Sequence, residues 1–556
     1  MRSLFVVGFV FAIFTLWAVT LTSSPQSSHG DPIGVTVSSG SSPRRSIDEK
    51  RAMAVAFVQQ QMTDNMIPGL TLAIVYKNET VLAQGFGTKQ VGNTDSPVTA
   101  HTLFQIGSFT KTFVALGLAK LVDDGLVSWS DPVKTHFASF QLQDKYAEAV
   151  TTLADLLSMN SVLSAFDGDV AWALGVAPSE ANLVRRVASL NTTRPVRDGY
   201  AYSNLNFEIL GQVVEAVTNQ TWFHFIKTTI LDPLGMHDTV GRPADAPNAS
   251  ELSFGHLSCN GHVLGPFSLV DSTMVALSPN NNFLAAGSML SSASDLATLI
   301  RFLLRRGAGI FHSPQPIEDM TTGHTVLSNM VVTGLNGADL FGLNFRPDGN
   351  VMAAGYGFDV VGDVLFGYDF YTKNGDTLAF KQRNGFVPSQ GLGLSIVANV
   401  QSKAAPGSAA YFLLDRMRSY LLGLFLDVPQ PELDAMWTQG VADAIQADEQ
   451  CDLHFFGSEP WTPPGTIIPA ATQALLVGTY KTIASPEYYG PLKIVQDAEH
   501  GLELQFGAYT RPLVATADPA VLVWTLEFDA DTWPVVVTNL GNNQTTLTFG
   551  GLAWVR

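Results

Sequence analysis

The pattern of apolar and polar residues predicts a mixed α/β body in the larger part of the chain. Residues 47–63 carry apolar side chains at helical spacing, and two short β-like runs follow at 70–76 and 81–86. Much later, residues 393–400 have the composition of a buried strand and residues 410–426 that of an apolar helix. We therefore predict a central antiparallel sheet that joins the first and last parts of this body, with helices on both faces.

The C-terminal region has a different periodicity. Two proline-rich patches lie within residues 428–470. After Ala471 the apolar side chains alternate with polar ones, as in strands that bury one face. The predicted strands include residues 492–495, 502–506, 522–528, 535–537 and 547–549. Short strands at this spacing are typical of a small antiparallel β-barrel or sandwich.

The N-terminus predicts export from the cytosol. An uninterrupted apolar stretch runs from Leu4 to Leu21 after Arg2, and we assign residues 1–23 to a signal peptide or an uncleaved signal anchor. Residues 24–46 read as a flexible stalk. The predicted order continues with the α/β body at 47–427, a linker at 428–470 and the β-domain at 471–556. The protein is thus expected to be secreted or held on the extracellular face of a membrane.

Charge and cysteine content narrow the classes of partner. The chain has 31 basic and 49 acidic residues, a formal net charge of −18, and no basic run, which makes nucleic acid an unexpected partner. Contact with a membrane is expected only through the possible N-terminal anchor, and the oligomeric state is open.

Cys259 and Cys451 can form one disulfide bridge or remain two unpaired thiols. Glycosylation acceptors, if the source is eukaryotic, are Asn78, Asn191, Asn219, Asn248 and Asn543.

The candidate chemistry begins at Ser108, which opens an apolar helical stretch that ends at Gly125. Lys111 follows three residues later, so its amine lies on the same helix face as the Ser108 hydroxyl. A serine becomes a good nucleophile when a neighbouring base removes its proton, and a lysine can act as that base if burial lowers its pKa. The pair alone is a weak signal, since a chain of this length contains about one such spacing by chance.

Two further motifs support a catalytic role for the Ser108–Lys111 pair. Tyr202-Ser203-Asn204 precedes a helical stretch, and Lys373-Asn374-Gly375 follows later in the chain. Three motifs in this order resemble those of the serine β-lactamase and penicillin-binding-protein superfamily. The tyrosine resembles that of class C β-lactamases, D-alanyl-D-alanine carboxypeptidases and related esterases. The resemblance covers about residues 50–426, and the tail is similar to a small β-domain often appended to such hydrolases.

The resemblance implies a β-lactamase/transpeptidase-like fold and a role for each motif. Ser108 would be acylated, and Lys111 and Tyr202 would share the general-base and general-acid roles. Asn204 would orient the substrate amide or Lys111, and Lys373 would hold a substrate carboxylate or tune Tyr202. No metal or cofactor is implied.

The third motif also supplies part of the implied oxyanion hole, which would consist of the backbone N–H groups of Ser108 and of Asp376, the residue after Gly375. A carboxylate at this position departs from the small residues expected there. Because its charge would oppose a developing oxyanion, we expect the Asp376 side chain to turn away from Ser108 or to pair with a cation.

These residues predict a secreted serine hydrolase that cleaves an ester, a lactone, a β-lactam or a D-amino-acid peptide through an acyl-Ser108 intermediate. The partner is then a small-molecule or peptide substrate. The alternative is a catalytically weak homologue that retains the pocket as a binding or scaffold surface. Specificity in such a fold lies in loops, and the sequence does not select among these substrates.

Overall fold

The computed structural model describes residues 44–192, 194–259, 261–271, 282–327, 343–344, 352–402, 410–443, 468–499, 501–516, 518–527, 531–541 and 544–556. In these residues the chain forms an α/β body around an antiparallel sheet, followed by a closed β-barrel. The predicted fold class is confirmed, and the C-terminal region is a barrel rather than a sandwich. The predicted signal and Cys451 lie outside the described residues, as does the side chain of Cys259.

The helices of the body include both that were predicted at its two ends. They are, in chain order, α1 (Ile47–Asp64), α2 (Thr110–Asp123), α3 (Val133–His136), α4 (Lys145–Val150), α5 (Leu153–Leu157), α6 (Asp169–Ala173), α7 (Glu180–Arg186), α8 (Asn204–Thr218), α9 (Trp222–Ile226), α10 (Asp232–Leu234), α11 (Ala293–Leu304), α12 (Gln315–Met320), α13 (Leu413–Phe425) and α14 (Gln430–Asp443). Short 3-10 turns lie at Gly107–Phe109, Val187–Ser189, Pro243–Asp245, Ala249–Glu251 and Pro388–Gln390, and a π turn at Lys227–Leu231. A capping box fixes the start of α1, since the side chains of Ser46 and Glu49 each accept a backbone N–H of the other residue.

The strands of the body form the central sheet and two small sheets. They are β1 (Gly69–Tyr76), β2 (Glu79–Gly87), β3 (Phe104–Gln105), β4 (Gly255–Cys259), β5 (His262–Phe267), β6 (Leu290–Ser291), β7 (Thr325–Val326), β8 (Leu343–Asn344), β9 (Ala353–Ala354), β10 (Val360–Leu365), β11 (Tyr368–Thr372), β12 (Gly375–Asp376), β13 (Lys381–Val387), β14 (Leu392–Ala398) and β15 (Val400–Ser402). The order in the central sheet is β2-β1-β14-β13-β11-β10-β9-β7, with β12 beside β13 and β8 beside β10. Strand β1 pairs with both β2 and β14, so the two ends of the body share this sheet as predicted.

Alternation along β1 shows that the central sheet is covered on both faces. Leu72 and Ile74 belong to a core with α1 and α13, while Ala73 and Val75 belong to a second core that includes α11 and α2. Because successive side chains of a strand point to opposite faces, helices pack on each side of the sheet. The second core continues through α2, in which every side chain from Thr110 to Ala119 is buried.

The C-terminal barrel consists of eight consecutive antiparallel strands, and the last closes on the first. The segment begins with α15 (Ala470–Leu476), and its other elements are β16 (Gly478–Thr482), α16 (Pro486–Tyr489), β17 (Leu492–Asp497), β18 (Gly501–Phe506), β19 (Tyr509–Ala515), β20 (Val521–Glu527), β21 (Asp531–Asn539), β22 (Thr546–Phe549) and β23 (Leu552–Val555). Its core is aromatic, with Phe506 and Trp524 each within 5.5 Å of Phe549 between ring centroids. Full closure leaves this sheet without an exposed edge.

The barrel packs against the segment of the body that contains α6. The Tyr488 hydroxyl donates to the Gly168 carbonyl oxygen over 3.1 Å, and the Ala508 N–H donates to the Leu174 carbonyl oxygen over 2.8 Å. A side chain on Gly507 would come within 2.0 Å of that same Leu174 oxygen, so only glycine permits this approach. Both ends of α6 are therefore held from the barrel side.

None of the helices in the described part of the chain is long and apolar enough to cross a membrane.

Candidate active site

Ser108 lies in the 3-10 turn directly before α2, at the N-terminal end of the buried helix. The first intrahelical bond of this turn runs from the Phe109 N–H to the Ile106 carbonyl oxygen, so the Ser108 N–H precedes the hydrogen-bonded ladder. Gly107 has a φ of +49° and approaches β12 so closely that a side chain would come within 2.7 Å of the Asp376 carbonyl oxygen. The glycine thus allows the nucleophile turn to contact the strand of the third motif.

Lys111 is fully buried beneath Ser108. Its Nζ atom lies 3.1 Å from Ser108 Oγ, 2.8 Å from Asn204 Oδ1 and 2.7 Å from the Ala286 carbonyl oxygen. Burial, followed by the positive charge of Lys373, holds the pKa of Lys111 well below its ordinary value. The environment therefore favours the neutral amine, the form that can accept a proton.

Tyr202 is the second side chain that contacts Ser108 Oγ. Its hydroxyl group donates to Ser108 Oγ over 2.7 Å, and Lys373 Nζ lies 3.5 Å from the same hydroxyl oxygen. Burial, with a smaller contribution from the negative charge of Asp359, raises the pKa of Tyr202 well above its ordinary value. Tyr202 is therefore protonated at neutral pH and serves as a hydrogen-bond donor.

Asn204 is held in one orientation by Asp169 at the start of α6. Asn204 Nδ2 donates to Asp169 Oδ2 over 2.7 Å, which turns the amide oxygen toward Lys111. Burial raises the pKa of Asp169 to about 8, although the bond from Asn204 and the charge of Lys111 oppose the shift. The motif asparagine thus connects the buried lysine to a carboxyl group that no motif indicates.

Lys373 forms a buried ion pair with Asp359. Its Nζ atom lies 2.6 Å from Asp359 Oδ1, and the two side chains are 1% and 9% exposed. Asp359 also accepts the Asn374 N–H over 3.3 Å. Burial lowers the pKa of Lys373, and the adjacent carboxylate opposes that shift.

Gly375 and Asp376 point to opposite sides of the sheet. A side chain on Gly375 would come within 2.0 Å of the Ile106 carbonyl oxygen, so this position faces the nucleophile turn. The next side chain along the strand then faces away. Asp376 forms two contacts with Arg383, of 2.7 and 3.2 Å, and Arg383 also donates to Asp415 of α13 over 2.7 Å. The expectation for Asp376 is confirmed, since its side chain is turned from Ser108 and paired with a cation.

A second unpredicted carboxyl group, Glu208, fixes the backbone that receives the Lys111 amine. Its side chain accepts the N–H groups of Ala285 and Ala286 over 3.1 and 3.0 Å, and the indole N–H of Trp172 over 2.7 Å. The Ala286 carbonyl oxygen thereby stays in reach of Lys111. The structure brings all seven predicted site residues together around the nucleophile turn and adds Asp169, Glu208 and Asp359.

Among the described residues, one group has the geometry of a possible metal site. It consists of Asp123, Asp124 and His312, at the opposite end of α2 from Ser108. Lys120 contacts Asp124 and lies 3.9 Å from Asp123, so a positive charge already occupies this cluster. We assign no metal to it, and no part of the Ser108 site depends on it.

The sequence matches a known protein family over most of the α/β body. A model of the Beta-lactamase family matches residues 54–416. The chain belongs to the beta-lactamase family. The predicted resemblance to the serine β-lactamase and penicillin-binding-protein superfamily is thus confirmed, and the matched region contains all three motifs.

Curated relatives of this beta-lactamase family member include hydrolases. The chain is 27% identical over 458 residues to "Unguisins hydrolase ungD'" of Aspergillus campestris, with 80% of this chain and 78% of that protein covered. It is 24% identical over 365 residues to "Protein flp" of Staphylococcus aureus strain N315, with 63% of each chain covered.

Solved structures show the same fold. The octameric penicillin-binding protein homologue from Pyrococcus abyssi aligns with a TM-score of 0.54 at 19% identity, covering 91% of this chain and all of that one. The D-amino acid amidase from Ochrobactrum anthropi SV3 aligns with a TM-score of 0.51 at 19% identity, covering 67% and 99%. At these identities the likeness concerns the β-lactamase/transpeptidase-like fold alone.

Proposed function

We propose that this beta-lactamase family member is a serine hydrolase that transfers an acyl group to Ser108 and then to water. The observation that carries the proposal is the double contact of Ser108 Oγ, which has Lys111 Nζ at 3.1 Å and the Tyr202 hydroxyl at 2.7 Å. A base and a proton donor that both contact the nucleophile oxygen match the two proton transfers that acyl transfer requires.

Lys111 is suited to the role of the base. A neutral amine has two N–H groups and one lone pair, while the Asn204 amide oxygen and the Ala286 carbonyl oxygen only accept. Both N–H groups are satisfied by these two oxygens, so the lone pair is directed at the Ser108 hydroxyl. Lys111 then takes the hydroxyl proton as Ser108 Oγ forms its bond to the substrate carbonyl carbon.

Tyr202 is suited to the role of the acid. Its phenol donates a proton to the leaving oxygen or nitrogen as the bond to the acyl carbon breaks, and it recovers a proton from Lys111. Lys373, 3.5 Å away, stabilises the phenolate formed meanwhile. In the second half of the reaction, water attacks the acyl carbon and its proton passes to the neutral Lys111 amine. Lys111 then returns that proton to Ser108 Oγ as the ester bond to the acyl group breaks, which releases the acid and restores the Ser108 hydroxyl.

The backbone N–H groups of Ser108 and Asp376 are assigned to the oxyanion. The Ser108 N–H precedes the hydrogen-bonded ladder of the nucleophile turn, and the backbone nitrogen of Asp376 lies beside that turn, 3.0 Å from the position of a Cβ on Gly107. The N-terminal end of α2 favours negative charge there. Because the Asp376 side chain is paired with Arg383 on the far side of β12, its charge does not face the oxyanion.

The test is acylation of the purified full chain by a chromogenic ester, with the intact mass measured during turnover. The parent protein is expected to gain one acyl group and to release the chromophore. Ser108→Ala should abolish both signals, and Lys111→Met, which keeps the buried volume, should nearly abolish them. Ser313→Ala, at an exposed serine, is the matched control and should behave as the parent. Turnover by Ser108→Ala equal to that of the parent would refute the acyl-serine route, and no adduct on folded parent protein would favour the scaffold alternative.

We also propose that the protein is exported, on the basis of the apolar stretch from Leu4 to Leu21. Sequencing the N-terminus of the protein recovered from its source distinguishes a cleaved signal peptide from an anchor. Recovery from the cytosol with Met1 intact would contradict export.

A further inference from the structure

The charges around Ser108 are paired within the protein. Two lysine side chains of the described residues face the nucleophile: Lys111, whose surroundings favour the neutral amine, and Lys373, which carries the positive charge. The amine of Lys111 is committed to Asn204 and Ala286, and Lys373 is committed to Asp359. The charge that would normally attract an anionic substrate is therefore balanced before the substrate arrives.

The other cations of the third motif's strands lie on the opposite face. Arg383 is held between Asp376 and Asp415, toward α13. Lys381 is on the same face of β13 as Arg383 and lies over the Tyr411 ring, 4.1 Å from its centroid. These side chains point away from the nucleophile turn and do not reach a ligand bound there.

The Lys373–Asp359 pair has consequences for a substrate that carries a carboxylate. With Nζ only 2.6 Å from Asp359 Oδ1 and both side chains almost fully buried, a second carboxylate on Nζ would meet the first at short range in a region of low dielectric. Like charges that share one cation repel each other, and displacing Asp359 would leave it buried and unpaired. A neutral group, such as a carboxamide or an ester, meets no such repulsion.

We propose that the acyl donors of this protein carry no carboxylate at the position that Lys373 faces, and that Asp359 is the residue that excludes it. The substrate class is then neutral esters, lactones and amides, including peptide bonds remote from a free C-terminus, and not peptides whose terminal carboxylate adjoins the scissile bond. This inference rests on the proposed function. In this arrangement Lys373 tunes Tyr202 instead of binding an anion.

The experiment compares two thioesters that differ only in the leaving group, phenylacetyl thioglycolate and phenylacetyl thioglycolamide. Both release a thiol that is measured in the same way, and one has a carboxylate where the other has a carboxamide. The parent is expected to have a kcat/KM at least about tenfold higher for the carboxamide. Asp359→Asn keeps the shape of the side chain and one acceptor oxygen. It should lower the ratio of the kcat/KM for the carboxamide to that for the carboxylate by about tenfold, because the thioester with the carboxylate is turned over faster.

The ratio within one variant does not depend on how much of the protein is folded, so a partly unstable Asp359→Asn protein still gives an answer. Asp369→Asn makes the same charge change on an exposed side chain of β11 and should leave the ratio unchanged. A parent that prefers the carboxylate, or an Asp359→Asn ratio equal to that of the parent, overturns the inference while leaving the hydrolase intact. Failure of both thioesters to react in a Ser108-dependent way overturns the proposed function and the inference together.

Discussion

Lys111 Nζ lies 3.1 Å from Ser108 Oγ at the buried N-terminal end of α2, and no carboxylate among the described side chains is in direct contact with the amine. The nearest acceptors are the neutral oxygens of Asn204 and Ala286, so nothing adjacent stabilises the ammonium as an ion pair would. Burial can then keep the amine neutral at a pH at which an exposed lysine is charged.

The pH dependence of acylation follows from this arrangement. The reaction needs a neutral Lys111, whose pKa is well below the ordinary value, and a protonated Tyr202, whose pKa is well above it. As pH rises, kcat/KM should therefore increase through the lowered pKa of Lys111 and reach a plateau. Tyr202 adds no decline below about pH 10, because its proton is lost only above the usual value of a tyrosine.

The measurement is kcat/KM for a neutral ester from about pH 5 to about pH 9.5. A rising limb with a midpoint near the ordinary pKa of lysine would contradict the assignment of a neutral buried amine. A fall between pH 7 and pH 9 that persists in Asp169→Asn would contradict the assignment of Tyr202 as a phenol with a raised pKa. The variant is needed because Asp169, whose pKa is about 8, titrates in the same range.

Replacing Tyr202 by Phe removes the hydrogen bond to Ser108 Oγ and keeps the aromatic ring in the core. Loss of a positioned acid/base group should lower kcat by a factor on the order of 100 or more. The decrease should be smallest for substrates whose leaving group needs no proton, such as a nitrophenolate. Equal decreases for an alkyl ester and a nitrophenyl ester would argue against the role as the acid.

Changing Asp376 to Gly tests whether its charge matters to the reaction. Its carboxylate faces Arg383 and not the nucleophile, so turnover of a neutral ester by the folded variant should change only slightly. Stability should fall by about 3 kcal/mol, because Arg383 loses one of its two buried partners. The two measurements are kcat/KM per active site, by titration with an acylating probe, and urea denaturation. An acceleration of tenfold or more would show that the charge does oppose the oxyanion.

Asp169 is a positioning residue, since it contacts Asn204 and not Ser108. In Asp169→Ala the Asn204 amide loses the partner that directs its oxygen to Lys111, and kcat should fall by about tenfold with KM little changed. Asp169→Asn still offers an acceptor oxygen to Asn204 Nδ2 and should restore most of the activity. If Asp169→Ala and Asp169→Asn lower kcat equally, the activity depends on the charge or the proton of Asp169 and not on its hydrogen bond with Asn204.

The sequence predicted those parts of the fold and site that depend on local spacing. The helix at residues 47–63, the first strand pair and the alternation in the C-terminal barrel are periodic patterns, and the structure has them within a few residues. The Ser108–Lys111 contact also follows from helix geometry, since residues three apart share a face. Ser108 itself differs in detail, because it lies in a 3-10 turn before the α-helix.

The supporting carboxyl groups could not be predicted in this way. Asp169, Glu208 and Asp359 contact residues that are 35, 78 and 14 positions away in the chain. Their roles arise from burial and from packing between distant elements, and none stands in a motif. Arg383 is likewise a cation in a strand in which all seven residues are buried, and this burial is known only from the structure. Such a residue requires anionic partners, although the sequence does not name them.

The contact between Tyr488 of the barrel and the Gly168 carbonyl oxygen connects the barrel to the active site. The family match ends at residue 416, yet the residue after Gly168 is Asp169, which orients Asn204. Removing the barrel would therefore remove a contact that holds the N-terminal end of α6, where Asp169 orients Asn204. We expect the smallest fragment that folds with full activity to extend through Arg556, because the barrel supports the residues that position Asn204.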